Sequence, residues 1–417
     1  MDKTLLVISQ VYPPDPAAVG QHIADVAAVM ARRGWRVVVY TSARGYDDPT
    51  VRYPRRETRD GVDVRRLPLS SFGKSGIAIR LLAQSLFLVQ ALFHGIWTRR
   101  LTTVLVSTSP PFAGFAGCVI RWLRGVPFTW WVMDLNPDQM IMLGKIGPRS
   151  LPARVFDWIN RRTLLAARDV IVLDRFIGAR VLRKASVAGK MRIIPPWAPD
   201  ELVDPVAHEA NPFRDRHGLQ GRFVVMYSGN HALTAPLDTL VAAARRLRDD
   251  DRLRFVFIGG GQRKPAIDAW IDRERPPHVL SLPYQPFAEI RHSLSAADVH
   301  VVSLADEAVG IVHPCKIYGS LAFGRPVIVL SPRESYAADI LDRQDVGWLI
   351  EHGDVDRLVD LLHRLAGGQA GDLTAMGRTA RALAAGPYSR PTFVGAVCDV
   401  LEGRSAPPDA TGASSPC

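Results

Sequence analysis

Cysteine is scarce: Cys118, Cys315, Cys398 and Cys417 are the only four in 417 residues, and no two show Cys-x-x-Cys spacing. That usage argues against a zinc site and fits reduced thiols in a cytosolic protein, so no metal is expected. Uninterrupted apolar runs are also missing. The first nine residues read as a strand whose apolar part is too short for a signal peptide. The most apolar stretch, 77–97, is broken by Arg80, Gln84, Gln90 and His94, and a membrane crossing is not expected of it. The fingerprint Gly-x-Gly-x-x-Gly does not follow the first strand, where only Gly20 stands before the helix, which weakens a dinucleotide reading. No base-reading motif accompanies the net charge of +11, whose excess is scattered in pairs such as Arg55-Arg56 and Arg161-Arg162. Nucleic acid is therefore not the expected partner, and an anionic membrane surface or small ligand remains. Low complexity is confined to the tail after Glu402.

What is present is a repeated alternation of strand and helix. The residues are 47% hydrophobic, enough for two cores in a chain of this length. Strands are expected at 4–9, 35–42, 61–67, 103–107, 127–133 and 169–173, and again at 222–228, 254–258, 278–282, 298–304, 326–330 and 346–350. The apolar, β-branched character of most of these segments suits parallel strands buried on both faces. The first helix is expected over 21–33 with Gly34 as its cap. Two readings stand for 77–97: a core helix on the sheet, or a helix partly embedded in the cytoplasmic leaflet with Lys74 and Arg99-Arg100 as basic flanks. The expected division is α/β: an amino-terminal domain over 1–200, a Pro-rich linker at 201–213 and a carboxyl-terminal domain over 214–387. A last helix at 388–403 returns to the first domain, and 404–417 is a disordered tail.

Chemistry concentrates in four places. Residues 310–326 read as a loop and then a helix between the strands 298–304 and 326–330, with Pro314 near the helix start, Lys316 in its first turn, and Gly324 and Pro326 ending it. Such a loop aims free backbone N–H groups and the helix dipole at an anion, which suggests diphosphate binding. Gly20 is either a plain turn residue or a point where backbone meets a phosphate. At the carboxyl end of strand 127–133 stand Asp134, Asn136 and Asp138. Asp134 is the candidate for contacting a substrate hydroxyl, whereas Asn136 and Asp138 are expected to cap the next helix. Gly259, Gly260 and Gly261 end a strand, followed by Arg263 and Lys264 as cations for a phosphate.

Over nearly its whole length the chain resembles the retaining glycosyltransferases of family 4, of the WbuB-like and colanic acid type that build exopolysaccharide and O-antigen. The resemblance is carried by Gln10-Val11-Tyr12-Pro13-Pro14 with Gly20, by Trp131 through Asp138, and by Tyr227-Ser228-Gly229-Asn230-His231. It continues in Phe257-Ile258-Gly259-Gly260-Gly261, Leu282-Pro283-Tyr284-Gln285 and Lys316 through Ile328. It implies a GT-B fold, two Rossmann-like domains with a cleft between them. The donor, a UDP- or GDP-sugar, would lie mainly on the second domain and the acceptor on the first. Gly310, Ile311, Val312 and His313 would meet diphosphate and sugar, Gly20 would approach the diphosphate from the other side, and Gly260, Gly261, Tyr284 and Gln285 would wall the base pocket. Arg263, Lys264 and Lys316 are the nearby cations, and no metal or other cofactor is implied.

The departures from the family pattern matter. Many members carry two glutamates with seven residues between them, where this chain has Ile311 and Gly319, and an Arg and a Lys where it has Asn230 and Ala235. The leaving-group cation must come from elsewhere, with Asn230 or His231 taking part of the task. The expected catalytic residues are Asp134, His313 and Lys316. The expected reaction moves a hexosyl unit, with retention, to a glycan on a polyprenyl diphosphate carrier at the cytoplasmic face of the inner membrane. The rivals are a catalytically silent nucleotide-sugar-binding subunit and a nucleotide-sugar 2-epimerase of the same fold.

Overall fold

The computed structural model describes residues 3–15, 17–45, 48, 50–70, 77–198 and 204–404. The chain forms two compact units, one of Met1–Pro195, Gly310–Val312 and Pro391–Cys417, the other of Pro196–Val309 and His313–Arg390. The expected tail beyond 404, residues 201–203 of the expected linker, and Lys74 lie outside the described residues.

In the first unit the strands are β1 (Thr4–Ile8), β2 (Arg36–Ser42), β3 (Arg56–Arg59), β4 (Val62–Leu67), β5 (Leu101–Ser107), β6 (Phe128–Val132), β7 (Asp169–Val172) and β8 (Met191–Ile193). They form one sheet in the order β3-β4-β2-β1-β5-β6-β7-β8, parallel except for the β3–β4 ribbon. Leu5, Leu6, Val7 and Ile8 of β1 are fully buried, as a strand covered on both faces requires. The helices are α1 (Ala18–Arg32), α2 (Ile77–Ile96), α3 (Ala113–Arg124), α4 (Asp138–Met142), α5 (Leu151–Ala166) and α6 (Arg175–Lys184).

Right-handed crossovers that step from β4 to β5, β6 and β7 place α2, α3 and α5 side by side on one face of this sheet, with α3 packed against both neighbours. Stretch 77–97 is thus a core helix along the line of Ala83, Phe87 and Ala91, each nearly or fully buried, while Leu82, Val89 and Phe93 are exposed. No helix among the described residues is long and apolar enough to cross a membrane.

The second unit holds α7 (Pro212–Arg216), β9 (Phe223–Ser228), α8 (Asp238–Arg246), β10 (Leu253–Ile258), α9 (Lys264–Glu274), β11 (Val279–Leu282), α10 (Phe287–Ser295), β12 (Val299–Ser303), α11 (Lys316–Ala322), β13 (Val327–Leu330), α12 (Tyr336–Arg343), β14 (Gly347–Ile350), α13 (Val355–Ala366) and α14 (Leu373–Ala385). Its six strands are parallel in the order β11-β10-β9-β12-β13-β14. Alternation sorts the strand residues into two cores. Val225, Tyr227, Phe255 and Phe257 meet Leu240, Ile267 and Leu362 on one face, and Val224, Met226, Val256 and Ile258 meet Phe213 and Leu219 on the other. Residues 212–216 form α7 rather than open linker, because Asn211 caps it through Phe213 N–H at 2.9 Å and Phe213 is fully buried.

The last helix, α15 (Arg390–Leu401), lies with the first unit over most of its length. Arg33 reaches Asp399 at 2.6 Å and Glu402 at 2.8 Å, Trp35 Nε1 donates to Glu402 at 3.0 Å, and Arg168 donates to the Val400 carbonyl at 2.8 Å.

Candidate functional site

In the second unit, the turns after β9 and β10 are interlocked. His231 N–H donates to the Gly260 carbonyl at 2.7 Å, and Arg263 N–H to the His231 carbonyl at 3.0 Å. Gly261 sits at φ +130°, and a Cβ there would lie 2.8 Å from the His231 carbonyl and against the Asn230 side chain, so only glycine closes this turn. Tyr284, largely exposed, lays its ring over Gly260 and donates to the Gly260 carbonyl at 3.3 Å. Gln285 turns back onto the Pro283 carbonyl at 2.9 Å. The His231 ring is buried, with Nδ1 at 3.0 Å from the Gly229 carbonyl and Nε2 without a hydrogen-bond partner among the described residues. Burial pulls its pKa down to about 4, so the imidazole is neutral at pH 7.

Lys316, the first residue of α11, reaches across the same cluster. Its Nζ donates to Tyr227 Oη at 2.8 Å and to the Asn230 carbonyl at 3.0 Å, and it lies 4.7 Å from the centre of the Tyr227 ring. Burial lowers its pKa to about 8. The other two expected cations are engaged elsewhere: Arg263 Nη2 pairs with Asp238 at 2.6 Å, and Lys264 Nζ with Asp268 at 3.0 Å. Helix α11 is only seven residues long, so its dipole is modest and the positive charge of this end of the unit rests on the Lys316 ammonium. His313 is buried, its Nε2 at 2.8 Å from Tyr318 Oη and its ring against Tyr336 at 4.7 Å.

In the first unit, residues 310–312 are held at the carboxyl end of β6. Leu135 N–H donates to the Ile311 carbonyl at 3.1 Å, and Gly310, at φ +73°, packs so closely on the Phe176 carbonyl and Arg180 that a Cβ would lie 2.8 Å from the former. The expected donor loop is thus divided by the fold, with Gly310, Ile311 and Val312 in one unit and His313 in the other.

Asp134 precedes Leu135, and its own N–H donates to Thr108 Oγ1 at 3.2 Å. Its carboxylate has no hydrogen-bonding or ionic partner among the described residues, and burial raises its pKa to about 6. The expected capping roles of the neighbours are corrected here. Pro137 is the N-cap of α4, Asp138 instead pairs with Lys184 at 2.8 Å and Arg180 at 3.6 Å, and the Asn136 carbonyl accepts from Asn160. Gly20 also differs from expectation: it lies inside the first turn of α1, where a Cβ would come within 3.0–3.1 Å of the Val11–Tyr12 backbone. Close packing of α1 on that loop accounts for the glycine.

Residues 17–197 match the family of glycosyl transferase 4-like domains, and residues 222–367 match the glycosyl transferases of group 1. The chain belongs to the GT-B glycosyltransferases. It is 22% identical over 393 residues to the probable glycosyltransferase WbjE of Pseudomonas aeruginosa, covering 92% of this chain and 94% of that protein. WcaI of Escherichia coli, named as a colanic acid biosynthesis glycosyl transferase, is 24% identical over 338 residues, covering 78% of this chain and 82% of that protein. Among solved structures, HepE of Anabaena in complex with UDP-glucose superposes with a TM-score of 0.69 at 15% identity, over 96% of this chain and 99% of that one.

For a glycosyltransferase of this fold, the structure adds residues to which sequence reasoning gave no role in the site. Tyr227 positions Lys316, Tyr318 and Tyr336 enclose His313, and Arg180 lies against the Gly310 turn. Tyr227 and Lys316 are 89 positions apart and meet only because β9 and β12 are neighbours in the sheet. No local spacing signals such a pair.

Proposed function

We propose that this glycosyltransferase moves a hexosyl unit from a UDP- or GDP-sugar to a lipid-linked or growing glycan, with retention at the anomeric carbon, in exopolysaccharide or O-antigen assembly. One observation carries the donor half: Lys316 Nζ is fixed beside the glycine turns after β9 and β10, while Arg263 and Lys264 are bound to carboxylates. Lys316 then supplies the leaving-group charge that Asn230 and Ala235 cannot. The acceptor hydroxyl adds to the anomeric carbon on the face that the diphosphate leaves, the carbon–oxygen bond to the diphosphate breaks, and the hydroxyl proton passes to a leaving phosphate oxygen. The protein contributes position and charge rather than a strong base.

Asp134 orients the acceptor hydroxyl. With a pKa of about 6 its carboxylate is mostly ionised at pH 7 and accepts a hydrogen bond. Gly260, Gly261 and Tyr284 receive the base, and Gly310 to His313 the sugar. Support for the nucleotide comes from HepE, whose solved structure holds UDP-glucose, and support for the glycan from the name of WcaI. A polyprenyl-diphosphate acceptor places the enzyme at the cytoplasmic face of the inner membrane.

Thermal unfolding of the full chain with UDP, GDP and their sugars tests the proposal. A nucleotide at a hundred times its Kd stabilises by about 2.7 kcal/mol, and that gain is expected for wild type and not for Lys316→Ala. Equal gains in both proteins, or none with any nucleotide, would sink it.

A further inference from the structure

The outer faces of α2, α3 and α5 carry an apolar surface that the fold leaves uncovered. Leu82, Val89 and Phe93 repeat at helical spacing along α2, and Trp97 follows its end, 74% exposed. Trp122 of α3 is 82% exposed, and Leu151 and Trp158 of α5 are 73% and 53% exposed. Since α3 packs against both α2 and α5, the three stripes make one face. Soluble monomers rarely leave so many large apolar side chains together in water.

The rim of this face is basic. Helices α2 and α3 contain no acidic residue, and α5 contains only Asp157, which Lys184 neutralises at 2.6 Å. Arg99, Arg121, Arg124, Arg154, Arg161 and Arg162 are exposed on or next to the three helices, and the Arg162 guanidinium lies 5.5 Å from the Trp158 ring centre.

Where α2 ends, a cavity of about 270 Å³ opens, lined by Arg36, Tyr40, Arg65, His94, Trp97 and Arg99 among others. His94 stacks on Tyr40 with centroids 5.6 Å apart, and Arg65 Nη1 donates to Tyr40 Oη at 3.4 Å. Asp63 holds Arg65 at 2.6 Å, whereas Arg36 and Arg99 face no carboxylate among the described residues. The cavity therefore keeps two uncompensated guanidinium groups. It lies at the amino edge of the sheet, by the start of β2, and Asp134 lies at the opposite, carboxyl edge.

We propose that the α2–α3–α5 face seats the protein on an anionic phospholipid surface, with the Arg36–Arg65–Arg99 cavity receiving the phosphate of one lipid headgroup. The occupant is fixed by charge complementarity: tryptophans and aliphatics enter the headgroup boundary while a ring of arginines meets phosphates. Where expectation offered the leaflet to α2 alone, the structure adds α3 and α5. The inference is independent of the donor chemistry and stands or falls without it.

Flotation of the full chain with phosphatidylcholine vesicles, with and without phosphatidylglycerol, tests it. Wild type is expected to float with the anionic vesicles. Removing two surface cations costs about five-fold in affinity each, so Arg36→Glu combined with Arg99→Glu is expected to lose at least about 25-fold. Trp122→Ser combined with Trp158→Ser is expected to weaken binding, and both double variants to keep the wild-type melting profile by circular dichroism. Failure of wild type to float overturns the proposal, as does wild-type binding by the arginine variant. It is also overturned if light scattering shows a dimer that the tryptophan variant abolishes, which would make the face a contact between copies. Stabilisation by inorganic phosphate without vesicle binding would assign the cavity to a soluble anion instead.

Discussion

Lys316 Nζ donates to Tyr227 Oη at 2.8 Å, joining the start of α11, the helix that follows β12, to the neighbouring strand β9. Burial pushes the phenol pKa upward, so Tyr227 stays neutral and can only share its oxygen with the ammonium, while its own proton goes to the Asn230 carbonyl at 2.7 Å. The cation has polar neighbours but no counter-ion within this cluster. An arriving diphosphate would supply one.

The pH dependence of donor binding follows from this. With a folded pKa of about 8 against an ordinary 10.5, Lys316 is charged at pH 7 and loses its proton as pH rises through 8. UDP affinity is expected to fall across that range in wild type and to be flat in Lys316→Ala, whose kcat/KM drops about 10²–10³-fold. Stability moves oppositely. Between about pH 8 and 10.5 the unfolded chain binds more protons at this residue, so the unliganded fold gains stability from it as pH rises. Calorimetric titration with UDP from neutral to alkaline pH checks the first trend and thermal melts the second; parallel trends would refute the assignment.

Asp134 gives the converse case. Its pKa of about 6 exceeds the ordinary 3.8, so between those values the folded chain binds more protons than the unfolded one, and stability is lost as pH rises through 6. Asp134→Asn is expected to stabilise the protein by about 1–3 kcal/mol at pH 7, with no gain near pH 4, and to abolish acceptor-dependent turnover. UDP binding should persist in this variant. Unchanged turnover at saturating acceptor would show that Asp134 does not orient the hydroxyl.

Much of this architecture could be read from the chain. Strands such as β6 and β12 are apolar on both faces, which only a covered parallel strand tolerates, and their positions were expected within a residue or two. Harder to read were β3 and β8, the first a polar four-residue edge ribbon and the second a strand of only three residues, too short to show a pattern. Gly20 was misplaced because helix α1 starts at Ala18 without a side-chain cap to mark it. In the candidate site, the spacing of Arg263 and Lys264 after the glycines did signal cations. What that spacing could not signal was their carboxylates, since Asp238 comes from the preceding helix and Asp268 lies a turn further along α9.

Gly261 tests how tightly the interlocked turns are built. A methyl group there would meet the His231 carbonyl at 2.8 Å and its nitrogen at 2.9 Å, at a φ that disfavours any side chain. Gly261→Ala is expected to cost about 1–3 kcal/mol by thermal denaturation and to weaken UDP binding through displacement of Asn230 and His231. Gly189→Ala, with nothing near its would-be Cβ and an ordinary φ, is the control and should melt close to wild type. If the two variants melted alike, the turn would not be under the constraint described.

Arg66 anchors the loop that leads from β1 to α1. Its side chain is fully buried, and Nη2 donates to the Pro13 carbonyl at 2.8 Å and to Glu57 at 2.7 Å, with Nη1 at 3.1 Å from the Pro54 carbonyl. Replacing it with methionine keeps the apolar stem but strands two backbone acceptors and leaves Glu57 partly buried without its partner. The expected loss is about 3 kcal/mol in urea denaturation, since removing one member of a buried ion pair costs about 3–5 kcal/mol and Glu57 retains some access to water. Arg66→Lys should recover little, because one ammonium cannot reach three acceptors that a planar guanidinium serves from different nitrogens. A methionine variant within about 0.5 kcal/mol of wild type, the scatter expected of surface substitutions, would show that other contacts hold the Pro13 loop in place.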